Sequence, residues 1–172
     1  MPEQAPASVH LKPVVYGPGE APALYWSREL LRRELATGEQ TDGRFSLTEA
    51  TADAGYASPF HVHHDDDEAI YILDGAIDLY LGDEVHEGPA GSWFFMPRAI
   101  PHGYHVRADG PVRMLIMTAP SGFERFFHEY GQAPEAGPPE APAISREEGE
   151  KILRAEYGIE MLTPPDNYPT PW

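Results

Sequence analysis

The chain has 172 residues, enough for one domain with a real hydrophobic core and cramped for two. Its formal charge of −16, with only 12 Lys and Arg, argues against nucleic acid and anionic membrane as partners, since both reward clustered basic residues. Cysteine is absent, which removes disulfides, thiolate metal sites and cysteine nucleophiles.

No run of eighteen or more apolar residues reads as a membrane span. Residues 1–10 have neither a basic start nor an apolar h-region, so no secretory signal is expected and a cytoplasmic protein is the simplest reading. Prolines crowd the first 22 residues, then Pro134–Pro142 and Pro164–Pro171, and bracket a middle of different character. That pattern divides the chain into an N-terminal arm (1–40) packing on or pairing with a barrel, a core (41–120), and a C-terminal helical and proline-rich extension (121–172).

In chain order, Trp26–Ala36 is ambiguous. Leu31 and Leu35 among charges fit a helix, but the segment could also add a strand. From Arg44 to Thr118 the chain is a series of short β-branched and aromatic runs: Arg44–Thr51, Ala69–Leu73, Ala76–Leu81, Ser92–Met96 and Val112–Thr118. Turns are expected at Asp53–Gly55, Asp74-Gly75, Gly82-Asp83 and Asp109–Pro111. Such spacing predicts an all-β sandwich or barrel. In Ala76–Leu81, Ile77, Leu79 and Leu81 share one face, with Asp78 and Tyr80 on the other. Beyond the barrel, Ser121…Glu124 and Ser145…Glu148 have the capping-box pattern, each opening a helix; the second stops at Gly158.

The chemistry is concentrated in Gly55…His61-Val-His63-His64-Asp-Asp-Asp-Glu68…Gly75. Residues two apart on a strand point the same way, so His61 and His63 face the interior together and His64 points out. Asp65–Asp67 reads as a solvated turn that returns the chain and sets Glu68 beside the histidines. A carboxylate at the head of the inward series Glu68, Ile70, Ile72 is costly unless paired or metal-bound. Gly91…Pro97…His102 supplies a further strand, a proline turn and a third inward imidazole. His61, His63, Glu68 and His102 therefore form a candidate site for one divalent transition metal: Fe, Ni, Mn, Co or Zn. Four protein ligands on an octahedral ion leave two open positions. His64 and His105 are expected outside the ligand set, and His10, His86 and His128 on the surface. Phe123, Phe126 and Phe127 are expected as core or dimer contacts, while Phe60, Tyr71, Phe95 and Met114 are candidates for pocket walls.

Gly55-x5-His61-x-His63-x4-Glu68-x6-Gly75 resembles the first cupin motif, and Gly91-x5-Pro97 with His102 the second. Ala99 stands where that family usually has glycine, and Val106 where it often has asparagine. The resemblance implies a single jelly-roll barrel with short flanking C-terminal helices, and a homodimer. Gly122–Phe127, Tyr157–Glu160 with Pro164-Pro165, and Ala36–Gly43 are similar to small quercetin 2,3-dioxygenase-like cupins, in which the Trp26–Ala36 region is strand-like. That likeness implies an enzyme using dioxygen to open a flavonol or related small aromatic enol, with Glu68 as general base. The alternatives are a non-oxidative metal-dependent cupin (isomerase or lyase) and a metal- or small-molecule-binding cupin without catalysis.

Overall fold

The structure is a computed structural model that describes residues 11–169; His10 and Pro171 lie outside the described residues. Among the described residues eleven strands form two facing antiparallel sheets. In chain order they are β1 (Ala23–Ser27), β2 (Leu30–Ala36), β3 (Ser46–Ala52), β4 (His61–His63), β5 (Asp67–Asp74) and β6 (Ala76–Leu81). The rest are β7 (Glu84–Pro89), β8 (Trp93–Met96), β9 (His102–Val106), β10 (Val112–Ala119) and β11 (Ile159–Met161). Three helices accompany them: α1 (Gly38–Thr41), α2 (Glu124–Tyr130) and α3 (Arg146–Glu156). The first sheet has the order β1-β2-β3-β10-β5-β8 and the second β11-β4-β9-β6-β7. This is a jelly-roll barrel with helices on its C-terminal side. Among the described residues no helix is long and apolar enough to cross a membrane.

Trp26–Ala36 is not helical. Leu30, Arg32 and Glu34 alternate inward along β2, a period of two, and β2 pairs with β3 from Leu30↔Ala52 to Ala36↔Leu47. Sheet pairing overrides the weaker leucine spacing. The first capping box does not form either. Phe123, not Ser121, precedes the helix, and Glu124 turns its carboxylate back onto the backbone N–H groups of Gly38 and Gly122, at 2.9 and 2.7 Å. Ser145 does cap α3, accepting from the Glu148 N–H at 3.2 Å. An unforeseen capping box joins Thr37 and Gln40.

The two halves of the barrel differ in chemistry. At one end the inward residues are apolar: Ala50, Ala52, Ile70, Ile72, Val112 and Met114 from the first sheet meet Ile77, Leu79 and Val106 from the second. Further along the first sheet the inward positions turn polar, at Glu34, Ser46, Thr48, Thr118 and Glu68. The register ties them together, since Thr118 lies opposite both Ser46 and Glu68. The dry half supplies the hydrophobic stabilisation, and the polar half is free to carry a site. Gly75, at φ +76°, closes the turn between β5 and β6; a Cβ there would lie 2.3 Å from the carbonyl oxygen of Pro111, so only glycine fits.

Candidate metal centre

The four predicted residues converge. One ligand atom from each of His61, His63, Glu68 and His102 lies within 4.8 Å of all the others, and all four side chains are buried. The histidines come from the second sheet and Glu68 from the first, so the cluster bridges the barrel. His61 and His102 are register partners on adjacent strands, which sets their ring centroids 4.5 Å apart. Glu68 reaches across with Oε2 at 3.5 Å from His63 Nε2 and Oε1 at 3.9 Å from His102 Nε2.

Each imidazole is anchored through Nδ1. His61 Nδ1 lies 2.7 Å from the Pro59 carbonyl, His102 Nδ1 2.8 Å from the Ile100 carbonyl, and His63 Nδ1 2.7 Å from Asp66 Oδ2. All three partners are acceptors, which assigns the proton of each neutral ring to Nδ1 and leaves the Nε2 lone pairs pointing inward. His61 Nε2 and His63 Nε2 are 2.9 Å apart, and His102 Nε2 is a buried atom with no hydrogen-bond partner. With all three rings neutral, the converging lone pairs have no donor between them, which is unfavourable unless a proton or a metal cation sits among them. With one carboxylate and no sulfur, the donor set fits a borderline divalent cation.

The electrostatics follow from burial and neighbours. Burial, reinforced by His102 and His63, holds His61 well below the ordinary imidazole value. Burial also lowers His102, against the opposing charge of Glu68. His63 is raised: burial disfavours its cation, but the Asp66 hydrogen bond and the charges of Glu68 and Asp66 outweigh that effect.

Sequence reasoning missed two supports. Asp66 is buried, not solvated, and fixes the tautomer of His63; an acidic residue three positions after a candidate ligand was the available signal. Asp67 binds the Arg98 backbone N–H at 2.9 Å and the Arg98 guanidinium at 3.1 and 3.3 Å. These hydrogen bonds hold the Asp67 carboxyl below its usual range and tie the loop before His102 to the start of β5. The Ala99 N–H adds a bond to the His63 carbonyl at 2.6 Å, with Ala99 at φ +66°. His64 points outward to Glu160, His105 pairs across from Asp78, and His86 and His128 are exposed.

His61 and Glu68 open onto a cavity of about 120 Å³. Its apolar walls include Trp26, Tyr104, Phe123, Phe126, Phe127 and Leu153. The expected wall residues are elsewhere. Tyr71 and Phe95 lie 38% and 54% exposed on the surface, Met114 fills the dry core, and Phe60 packs against Tyr168. Phe126 and Phe127 both build a core cluster and face the cavity, because α2 closes one side of the barrel. A short run such as Tyr71 or Phe95 does not announce which face of its strand is inward.

Residues 48–118 match the cupin domain family. The two-sheet jelly roll agrees with that match, so the chain carries a cupin domain over these residues. It resembles quercetinase-like proteins. It is 33% identical over 85 residues to quercetin 2,3-dioxygenase of Bacillus subtilis, a match covering 47% of this chain and 25% of the relative, so the chain spans about a quarter of that protein. An uncharacterised protein of Methanocaldococcus jannaschii is 29% identical over 93 residues, covering 54% of this chain and 71% of its own length. Among solved structures, KdgF from Halomonas sp. superposes with a TM-score of 0.60 at 17% identity, over 66% of this chain and 99% of that one. The polyketide cyclase RemF from Streptomyces resistomycificus superposes with a TM-score of 0.53 at 26% identity, over 63% and 80%.

Proposed function

We propose that this chain is a metal-dependent dioxygenase acting on a small aromatic enol, of which a flavonol is one form. The observation that carries the reading is the opening of the His/Glu cluster, through His61 and Glu68, onto a cavity walled by aromatic side chains. In this reading His61, His63 and His102 hold a divalent metal through Nε2, with Glu68 as the fourth ligand. The metal, when bound, supplies Lewis acidity that lowers the pKa of the substrate hydroxyl. Glu68, lining the cavity, takes the hydroxyl proton as general base. Trp26, Phe123 and Phe127 hold the ring flat and exclude water from the reacting face. A dry cavity of about 150 Å³ holds benzene, so the space here, about 120 Å³, is at most that of one aromatic ring. A flavonol requires the α2 and α3 side to open.

The test is dioxygen uptake and carbon monoxide release with quercetin, and dioxygen uptake with the one-ring analogue catechol. Protein is reloaded separately with iron, nickel, manganese and cobalt. Turnover that falls roughly 10²-fold or more in Glu68→Gln at equal metal content supports the reading. No uptake from fully loaded protein with either substrate contradicts it.

A second reading is favoured by the likeness to a polyketide cyclase: non-oxidative cyclisation or isomerisation of an aromatic precursor in the same cavity. Turnover that persists under strict anaerobiosis selects it.

A further inference from the structure

Arg32 is an unusual residue for the inside of a β-barrel. It occupies an inward position of β2 between Leu30 and Glu34, is 6% exposed, and lines the same cavity as His61 and Glu68. A buried charge at a site where an apolar residue would pack is costly, and pairing it only offsets that cost. The partial pairing is visible. Arg32 Nη2 donates to Thr48 Oγ1 at 2.9 Å, and Nε reaches Glu34 Oε1 at only 3.4 Å. Glu34 has a better partner in the Thr48 hydroxyl, at 2.8 Å. The guanidinium lies 3.8 Å over the ring of Phe127, which fixes it against the aromatic wall. Among the described residues Nη1 has no hydrogen-bond partner. Tyr56 and Tyr104 line the cavity beside it.

A flat, buried, half-used guanidinium next to an aromatic wall suits an aromatic molecule bearing a negatively charged oxygen. We infer that Arg32 is the specificity-determining residue for an acidic group of the substrate, a carboxylate or ionised phenol on the ring, bound through Nη1 while the ring lies along Phe127. Glu34 then tunes the site by competing for the same cation. The inference rests on the reading of this cavity as the substrate site.

The test is calorimetric binding of benzoate and of its uncharged counterpart benzamide to the full chain at pH 8, at measured and equal metal content. Wild type binds benzoate tighter than benzamide by roughly tenfold or more, the scale of one charge-assisted hydrogen bond. In Arg32→Met benzoate affinity falls until that preference disappears. A preference that survives in Arg32→Met shows that the anion is held elsewhere, on the metal for example, and overturns the assignment. Should Arg32→Met fail to fold, Glu34→Gln decides: releasing Arg32 raises benzoate affinity about threefold, and an unchanged or lowered affinity overturns the assignment. If wild type binds neither probe, the cavity is no substrate site and both readings fall. If benzoate preference follows Arg32 while dioxygen uptake is absent, the anion site stands and the dioxygenase reading alone is lost.

Discussion

Asp66 Oδ2 accepts the Nδ1 proton of His63 at 2.7 Å, and that contact converts a residue of an apparently solvated acidic run into the orienting partner of a candidate ligand. The carboxylate sets the tautomer, directs Nε2 to the centre of the cluster and makes the imidazole a stronger donor. Asp66→Asn keeps the shape of the side chain but lowers metal affinity roughly 10- to 100-fold. Competition titration against a chromophoric chelator measures it. Affinity equal to wild type would mean that Asp66 is only structural.

Metal uptake is expected to depend on pH through His63. Its pKa lies above the ordinary imidazole value of 6.5, because the Asp66 hydrogen bond and the charges of Glu68 and Asp66 outweigh burial, while His61 and His102 are held neutral by burial. A metal must displace the His63 proton, so affinity rises with pH up to that raised pKa and levels off above it. Below it, each binding event releases up to about one proton per chain, which titrations in buffers of different ionisation enthalpy count. Zero release at pH 6.5 would contradict the assigned protonation.

Ala99 stands at φ +66°, a conformation costing an ordinary residue about 1–2 kcal/mol. Glycine there relieves the strain and forfeits roughly 0.4–1 kcal/mol through the freer unfolded chain. Ala99→Gly is therefore neutral to stabilising, by up to about 1.6 kcal/mol, read from denaturant unfolding. A loss of stability would show that the Ala99 methyl makes packing contacts outweighing its strain.

Saturation with metal is expected to stabilise the fold. An ion that binds only the native state at 100 times its Kd adds about 2.7 kcal/mol. For a chain of this size each kcal/mol raises Tm by about 2–4 °C. The rise is expected to vanish in His102→Ala, which removes a buried imidazole nitrogen that has no hydrogen-bond partner among the described residues. A Tm that ignores metal in the wild type would contradict binding to the native state.

Much of this was legible in the residues, for local reasons. A strand period of two puts His61 and His63 on one side, and the turn of Asp65–Asp67 returns Glu68 to them; neither step needs the whole fold. His102 was legible because its strand follows a proline turn, and the register that pairs it with His61 did the rest. The cavity was not legible. Its walls come from β1, α2 and the segment leading into α3, far apart in sequence, and the sidedness of Tyr71 or Phe95 depends on which face of β5 and β8 the second sheet covers. Arg32 was hidden for a related reason: charges on a short segment with leucines read as a helix surface until β2 is known to pair with β3.

Cobalt(II) titration of the apo protein, followed in the visible spectrum, tests the central claim most directly. The account predicts saturation at one ion per chain, with ligand-field bands of a mixed imidazole and carboxylate site that are lost in His61→Ala and His102→Ala. Bands that persist in both variants, or no saturable binding in the wild type, would contradict it.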